Sequence, residues 1–140
     1  MDGLNYFLKY LSIVLISIAV DAPYLYSTKT LYGKRTHDIS GKPYTTRYYS
    51  ALIVYLALAL ALLVFVLPHI RNDTISNTVI DGIIYGGIFG ISTYAIFDFT
   101  THFMFDGWDI GVSIMDSIWG GVLCSIVSII ITLCFKKDLL

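Results

Sequence analysis

Apolar residues in this chain do not alternate with polar ones but gather in four blocks, at residues 4–32, 48–67, 78–102 and 109–135. A hydrocarbon layer about 30 Å thick takes roughly 20 apolar residues of helix to cross, and each block meets that length. The pattern predicts an all-α fold: an integral membrane four-helix bundle, one transmembrane domain over residues 1–140, with both termini on the same side.

The polar punctuation sets the expected boundaries. Pro23 removes the hydrogen bond to the carbonyl of Ala19, so a kink is expected beside Asp21. Residues 33–47 hold Gly33, Gly41 and Pro43 together with Lys34, Arg35, Lys42 and Arg47, and are read as the one substantial loop. The second block is uncharged, rich in Ala and Leu, and closed by Pro68; it is expected to form the lipid-facing wall. The third and fourth blocks, separated by a short turn around Asp106 and Gly107, are expected to form a tight hairpin. The first block also imitates a secretory signal, with Lys9 before residues 10–20 and Val20-Asp21-Ala22 as a loose cleavage site. Pro23 directly after that site, and the lack of a soluble domain to export, favour a retained span.

Composition sharpens the class. Hydrophobic residues make up 56% of the 140 positions and mean hydropathy is +0.74, more apolar surface than a soluble core of this size absorbs. Net charge is −1, which makes no case for a nucleic-acid partner, and all ten acids are Asp. Cys124 and Cys134 fall in one block, about 15 Å apart along a helix, too far to bridge each other. Basic residues divide almost evenly between the first loop (Lys29, Lys34, Arg35, Lys42, Arg47) and the opposite side (Lys9, Arg71, Lys136, Lys137). Their density favours a cytoplasmic first loop, which leaves the sequon Asn72-Asp73-Thr74 outside. Tyr44, Tyr48, Tyr49, Phe103, Phe105 and Trp108 fall near predicted membrane edges and are read as interfacial anchors.

Two patterns within the blocks call for more than span length. Gly82, Gly86 and Gly90 recur every four residues, with Gly87 beside them, and Gly120 and Gly121 sit on the fourth block. Helices in lipid associate through close packing and hydrogen bonds, which small residues permit, so these glycines are expected at a helix contact. The contact is either within the bundle or with another protein. The second pattern is acidic: Asp21, Asp98 and Asp116 all lie inside apolar blocks, with no Lys or Arg deep in any span to neutralise them. Buried carboxylates are costly unless paired, hydrogen-bonded or protonated. Tyr94, Asp98 and His102 follow at four-residue steps and are read as one polar patch, facing Asp109, Ser113, Asp116, Trp119 and Gly120 of the fourth helix. Trp119 offers an indole donor to an acid of a neighbouring helix.

The motifs Asp21-Ala22-Pro23-Tyr24-Leu25 followed by Leu31-Tyr32, Tyr85-Gly86 through Gly90, Tyr94-Ala95-Ile96-Phe97-Asp98-Phe99-Thr100, and Trp108 followed by Asp116-Ser117-Ile118-Trp119-Gly120 resemble those of domain of unknown function family 2177. The resemblance covers most of the chain and implies a four-helix membrane fold; members occur in bacteria, some beside lipid-modifying genes, and in large DNA viruses with an internal membrane. Tyr24 stands where the family usually has Trp, and Thr101 where an Asn normally follows the Thr. The candidate polar cluster is therefore Asp21, Tyr24, Tyr94, Asp98, Thr101, His102, Asp116 and Trp119.

Three functions fit these residues. The first is a structural or assembly role, with membrane lipid, other membrane or capsid proteins or another copy as partners, a virion inner membrane included. The second is transport of protons, cations or a small solute past the aspartates. The third is a lipid-modifying enzyme. No cofactor and no metal are expected, since Asp98 and His102 supply two ligands where a stable site takes four.

Overall fold

A computed structural model describes residues 3–135. It is all-helical, with four helices long and apolar enough to cross a membrane: α1 (Gly3–Ser40), α2 (Tyr48–His69), α3 (Ile75–Met104) and α4 (Ile110–Cys134). Lys136 and Lys137, two of the cations weighed for topology, lie outside the described residues.

Helix α1 does not stop near Tyr32. It runs on to Ser40, so most of the expected first loop is helix. Its polar residues satisfy themselves along the helix instead of breaking it: the Thr36 hydroxyl donates to the carbonyl of Tyr32 at 2.8 Å, and Ser40 to that of Thr36 at 2.8 Å. Arg35 adds an ion pair with Asp109, at the start of α4, at 2.7 Å. The helix ends where Gly41 turns left-handed at φ +67° and donates to the His37 carbonyl at 2.8 Å, with Pro43 barring continuation. Pro23 lies inside α1 without ending it.

In α2, Tyr55, Leu58, Ala59, Leu62 and Val66 form a buried stripe, and Ile53, Val54, Leu60, Val64 and Phe65 the exposed one. Helix α2 is thus a core helix on one side, and the apolar outer wall is shared: α1 and α3 are each less buried than α2. It closes through a wide turn at Leu62–Val66 and a tight turn at Leu67–His69 that takes Pro68.

The centre of the bundle is α4, the most buried helix. Its inward positions are small or aliphatic, among them Ser113, Ser117, Gly120, Gly121, Cys124, Val127 and Ser128. Helix α3 lies antiparallel on it, with Gly82 over Ile129, Gly86 over Cys124 and Gly90 over Gly120. A Cβ on Gly90 would strike the Gly120 carbonyl, and one on Gly86 would sit 2.8 Å from that of Cys124. Four-residue steps in an α-helix overshoot a full revolution, so a long row should rotate off one face. The wide turn at Gly82–Gly86, closed i→i+5, undershoots and restores the phase, keeping Gly82 through Asp98 toward α4. Helix α1 also packs antiparallel to α4, pairing Asp21 with Trp119 and Tyr24 with Asp116, which brings Gly3 and Cys134 to the same end.

Candidate polar site between the helices

Each of the four helices sends at least one polar side chain to a common seam. From α1 come Asp21 and, one turn on, Tyr24; from α4, Trp119 and, one turn back, Asp116. Antiparallel packing matches the two pairs. The Trp119 indole N–H donates to Asp21 Oδ1 at 2.7 Å, and the Tyr24 hydroxyl to Asp116 Oδ1 at 2.9 Å. The Tyr24 and Trp119 rings stack between these bonds, centroids 4.6 Å apart and 7° from parallel. Helix α2 adds Tyr55, whose hydroxyl donates to Asp21 Oδ2 at 2.6 Å. Asp21, buried, therefore has a strong donor on each oxygen, and the stacked rings shield it.

Asp98 on α3 is different. It is fully buried, and no donor among the described residues reaches either of its oxygens. What faces it is the carboxyl of Asp116. Two carboxylates repel; the contact is attractive when one proton lies between them. Tyr32, two turns beyond Tyr24 on α1, brings its buried hydroxyl beside Tyr24 and Asp116. The backbone of the same turn is held from α4: Ser113 donates to the Asp98 carbonyl at 3.3 Å and accepts from the Trp108 indole at 3.0 Å.

The remaining expected members fall elsewhere. Tyr94 is half-buried with its ring over Gly120, close to the seam but without a hydrogen bond. His102 is exposed and edge-on to Phe99, and Thr101 turns its hydroxyl back to the Phe97 carbonyl at 2.8 Å. The expected patch of Tyr94, Asp98 and His102 is thus divided, because the four-residue step past Asp98 rotates His102 off the α4 face. Thr101 instead lines a shallow groove with Thr36, Ile39, Ser40, Phe105 and Trp108.

Sequence reading passed over two participants and one pair. Tyr55 is the only hydroxyl in α2 after Ser50, a signal that an uncharged Ala/Leu run conceals. Tyr32 fell at the expected helix end. Asp81 joins Asp21 and Asp98 as a buried acid, and it is paired: Arg71 binds it through Nε and Nη2 at 2.8 Å each and through its backbone N–H at 3.0 Å. The carboxylate raises the guanidinium further above its ordinary value. Arg71 lies in the α2–α3 turn, ten residues from Asp81, too far for any helical spacing rule to join them.

No curated protein and no solved structure matches the chain. Residues 6–133 match the family model described as predicted membrane protein (DUF2177). With four apolar helices of spanning length and a match over nearly its whole length, the chain is an integral, multi-pass membrane protein and belongs to the DUF2177 family.

Proposed function

We propose that this bundle holds an exchangeable proton on the Asp98–Asp116 pair and that its function is proton-linked movement of protons or a small cation across the membrane. One observation carries this reading: Asp98 is fully buried with both oxygens lacking a donor among the described residues, and its facing group is a second acid. A carboxyl kept only to staple helices would be expected to look like Asp21, with a donor on each oxygen. An acid left without donors inside an apolar bundle is the arrangement expected of a group that takes and releases a cation, a proton being the smallest. The test is flux. Purified protein in vesicles holding a pH-sensitive dye is expected to dissipate an imposed pH gradient, and Asp98→Asn and Asp116→Asn are each expected to abolish this while leaving the protein folded.

A second reading is favoured by Asp21 itself. Its closed network with Tyr55 and Trp119 joins three helices and suits a rigid membrane scaffold or assembly component, a virion inner membrane included. Vesicles without flux, together with Asp98→Asn protein indistinguishable from the parent, would leave that role standing.

A further inference from the structure

We infer that the Asp98–Asp116 pair, on the reading above that it holds a proton, is open in the conformation of this structure to one end of the bundle, the end formed by the extension of α1 and the α3–α4 turn, and exchanges its proton there through the hydroxyls of Tyr24 and Tyr32, release to the other side requiring a second conformation.

Toward that end polar side chains follow one another along α1. Tyr24 already donates to Asp116 at 2.9 Å. Tyr32 lies next along α1, its hydroxyl buried, without an aligned partner, beside both Tyr24 and Asp116. Three residues further, Arg35 keeps its Nε buried and without a partner while its Nη2 holds Asp109 at 2.7 Å. That ion pair marks the rim, since the two side chains are 34% and 31% exposed. Buried donors without partners are where water entering from the rim finds hydrogen bonds.

Toward the other end the seam closes. Asp21 has both oxygens occupied by Tyr55 and Trp119, and the Tyr24–Trp119 stack lies across the gap. Beyond it come Ile13, Leu62, Leu123, Val127 and Ile131, none more than 1% exposed. Among the described residues the buried hydroxyls at this end are Ser17, Thr78, Ser128 and Thr132; Thr78 is spent on the Arg71 carbonyl, and Ser17 and Ser128 bond no neighbour and sit among these aliphatic side chains, so they form no chain of donors outward from the seam.

The transfer conserves protons. One proton from water at the mouth joins the Tyr32 oxygen as Tyr32 passes its own to the Tyr24 oxygen and Tyr24 passes its own to Asp116, leaving both phenols neutral. The charged and titratable groups around this path are Arg35 and Asp21 on α1, Tyr55 on α2, Tyr94 on α3, and Asp109 and Cys124 on α4. The outermost, Arg35 and Asp109, are already paired with each other.

The test uses the full chain in vesicles of known orientation, with Trp108→Phe leaving Trp119 as the reporter. Stepping the pH outside vesicles that present the α3–α4 turn outward is expected to change Trp119 fluorescence within mixing. The opposite orientation is expected to respond only as the lumen equilibrates. Tyr32→Phe, and independently Tyr24→Phe, should slow the fast response by about a hundredfold while keeping its amplitude, the typical scale of a lost positioned proton donor. Equal responses from both orientations, or fast kinetics in both phenylalanine variants, overturn one-sided access. If the fluorescence change is absent, or survives unaltered in Asp98→Asn, the proton-holding pair itself fails and this inference goes with it.

Discussion

Trp119 of α4 donates its indole N–H to Asp21 of α1 at 2.7 Å, and Tyr55 of α2 occupies the other oxygen of the same carboxyl. Three helices meet at one acid. Trp119→Phe preserves a ring to stack on Tyr24 and removes the donor, so it isolates the hydrogen bond. A bond to a charged group is worth about 1.5–3 kcal/mol, and its loss leaves Asp21 partly uncompensated. Each of Trp119→Phe and Tyr55→Phe is expected to lower stability by that order in denaturant unfolding in detergent. The double variant should fall below the sum of the two, because the first loss leaves one donor and the second leaves none. Single and double losses all within about 0.5 kcal/mol, the range of surface substitutions, would mean Asp21 is no staple.

The glycines give opposite expectations at two helical positions. At Gly90 a methyl group would meet the Gly120 carbonyl, a backbone atom that cannot rotate away. Gly90→Ala must therefore part α3 from α4, at a cost of about 1–3 kcal/mol or more, the scale of overpacking. At Gly33, inside α1, a methyl group would rest 3.7 Å from the Tyr44 ring, in ordinary contact. Gly33→Ala is expected to stabilise by about 0.5–1 kcal/mol through helix propensity. Thermal melts of the two variants beside the parent decide both, and a neutral Gly90→Ala would place the glycine row away from the tight contact.

Span number and order were legible because they depend on local runs of apolar residues, which each helix carries in its own sequence. The end of α1 was not, since Lys34, Arg35, Thr36 and Ser40 read as loop residues when counted but form a helix whose far partner, Asp109, lies 74 positions away. Partner choice among the acids was hidden for the same reason. Trp119 was recognisable as a donor for an acid on another helix; that the acid is Asp21, with Tyr55 completing it, follows from three-helix packing. His102 shows the opposite error, a spacing rule carried one step beyond the face on which it holds. Asp81 was missed because its cation comes from a turn.

At the α2–α3 turn, Asp81 accepts three bonds from Arg71, and Thr78 donates to the Arg71 carbonyl at 2.7 Å, so one residue closes the connection. Arg71→Lys keeps the charge and loses the two-pronged geometry. It is expected to lower the melting temperature less than Arg71→Ala, with Asp81→Asn closer to the alanine variant. Protease susceptibility of residues 70–74 should rise in the same order. Equal melting temperatures for all three variants and the parent would show that the turn holds without the pair.

Asp73 in that turn accepts from the Asn77 side-chain amide at 2.9 and 3.0 Å and from the Thr74 N–H at 2.8 Å. These bonds favour the charged carboxylate, the Asn77 amide most, and hold its pKa below the ordinary value of 3.8. A depressed carboxylate binds its proton less readily when folded than when unfolded. Its contribution to stability is therefore fully present above the unfolded value and is lost as pH falls through the folded one. Between neutral pH and about 5 Asp73 should leave stability unchanged. Below about 4, as the unfolded carboxyl begins to take up protons, the parent should lose stability faster than Asp73→Asn, which has no proton to bind there. Melting temperatures of the two proteins, followed from pH 7 to pH 2 in detergent, should converge toward the acid end. Parallel curves throughout would mean that the Asn77 and Thr74 contacts do not distinguish charged from neutral Asp73.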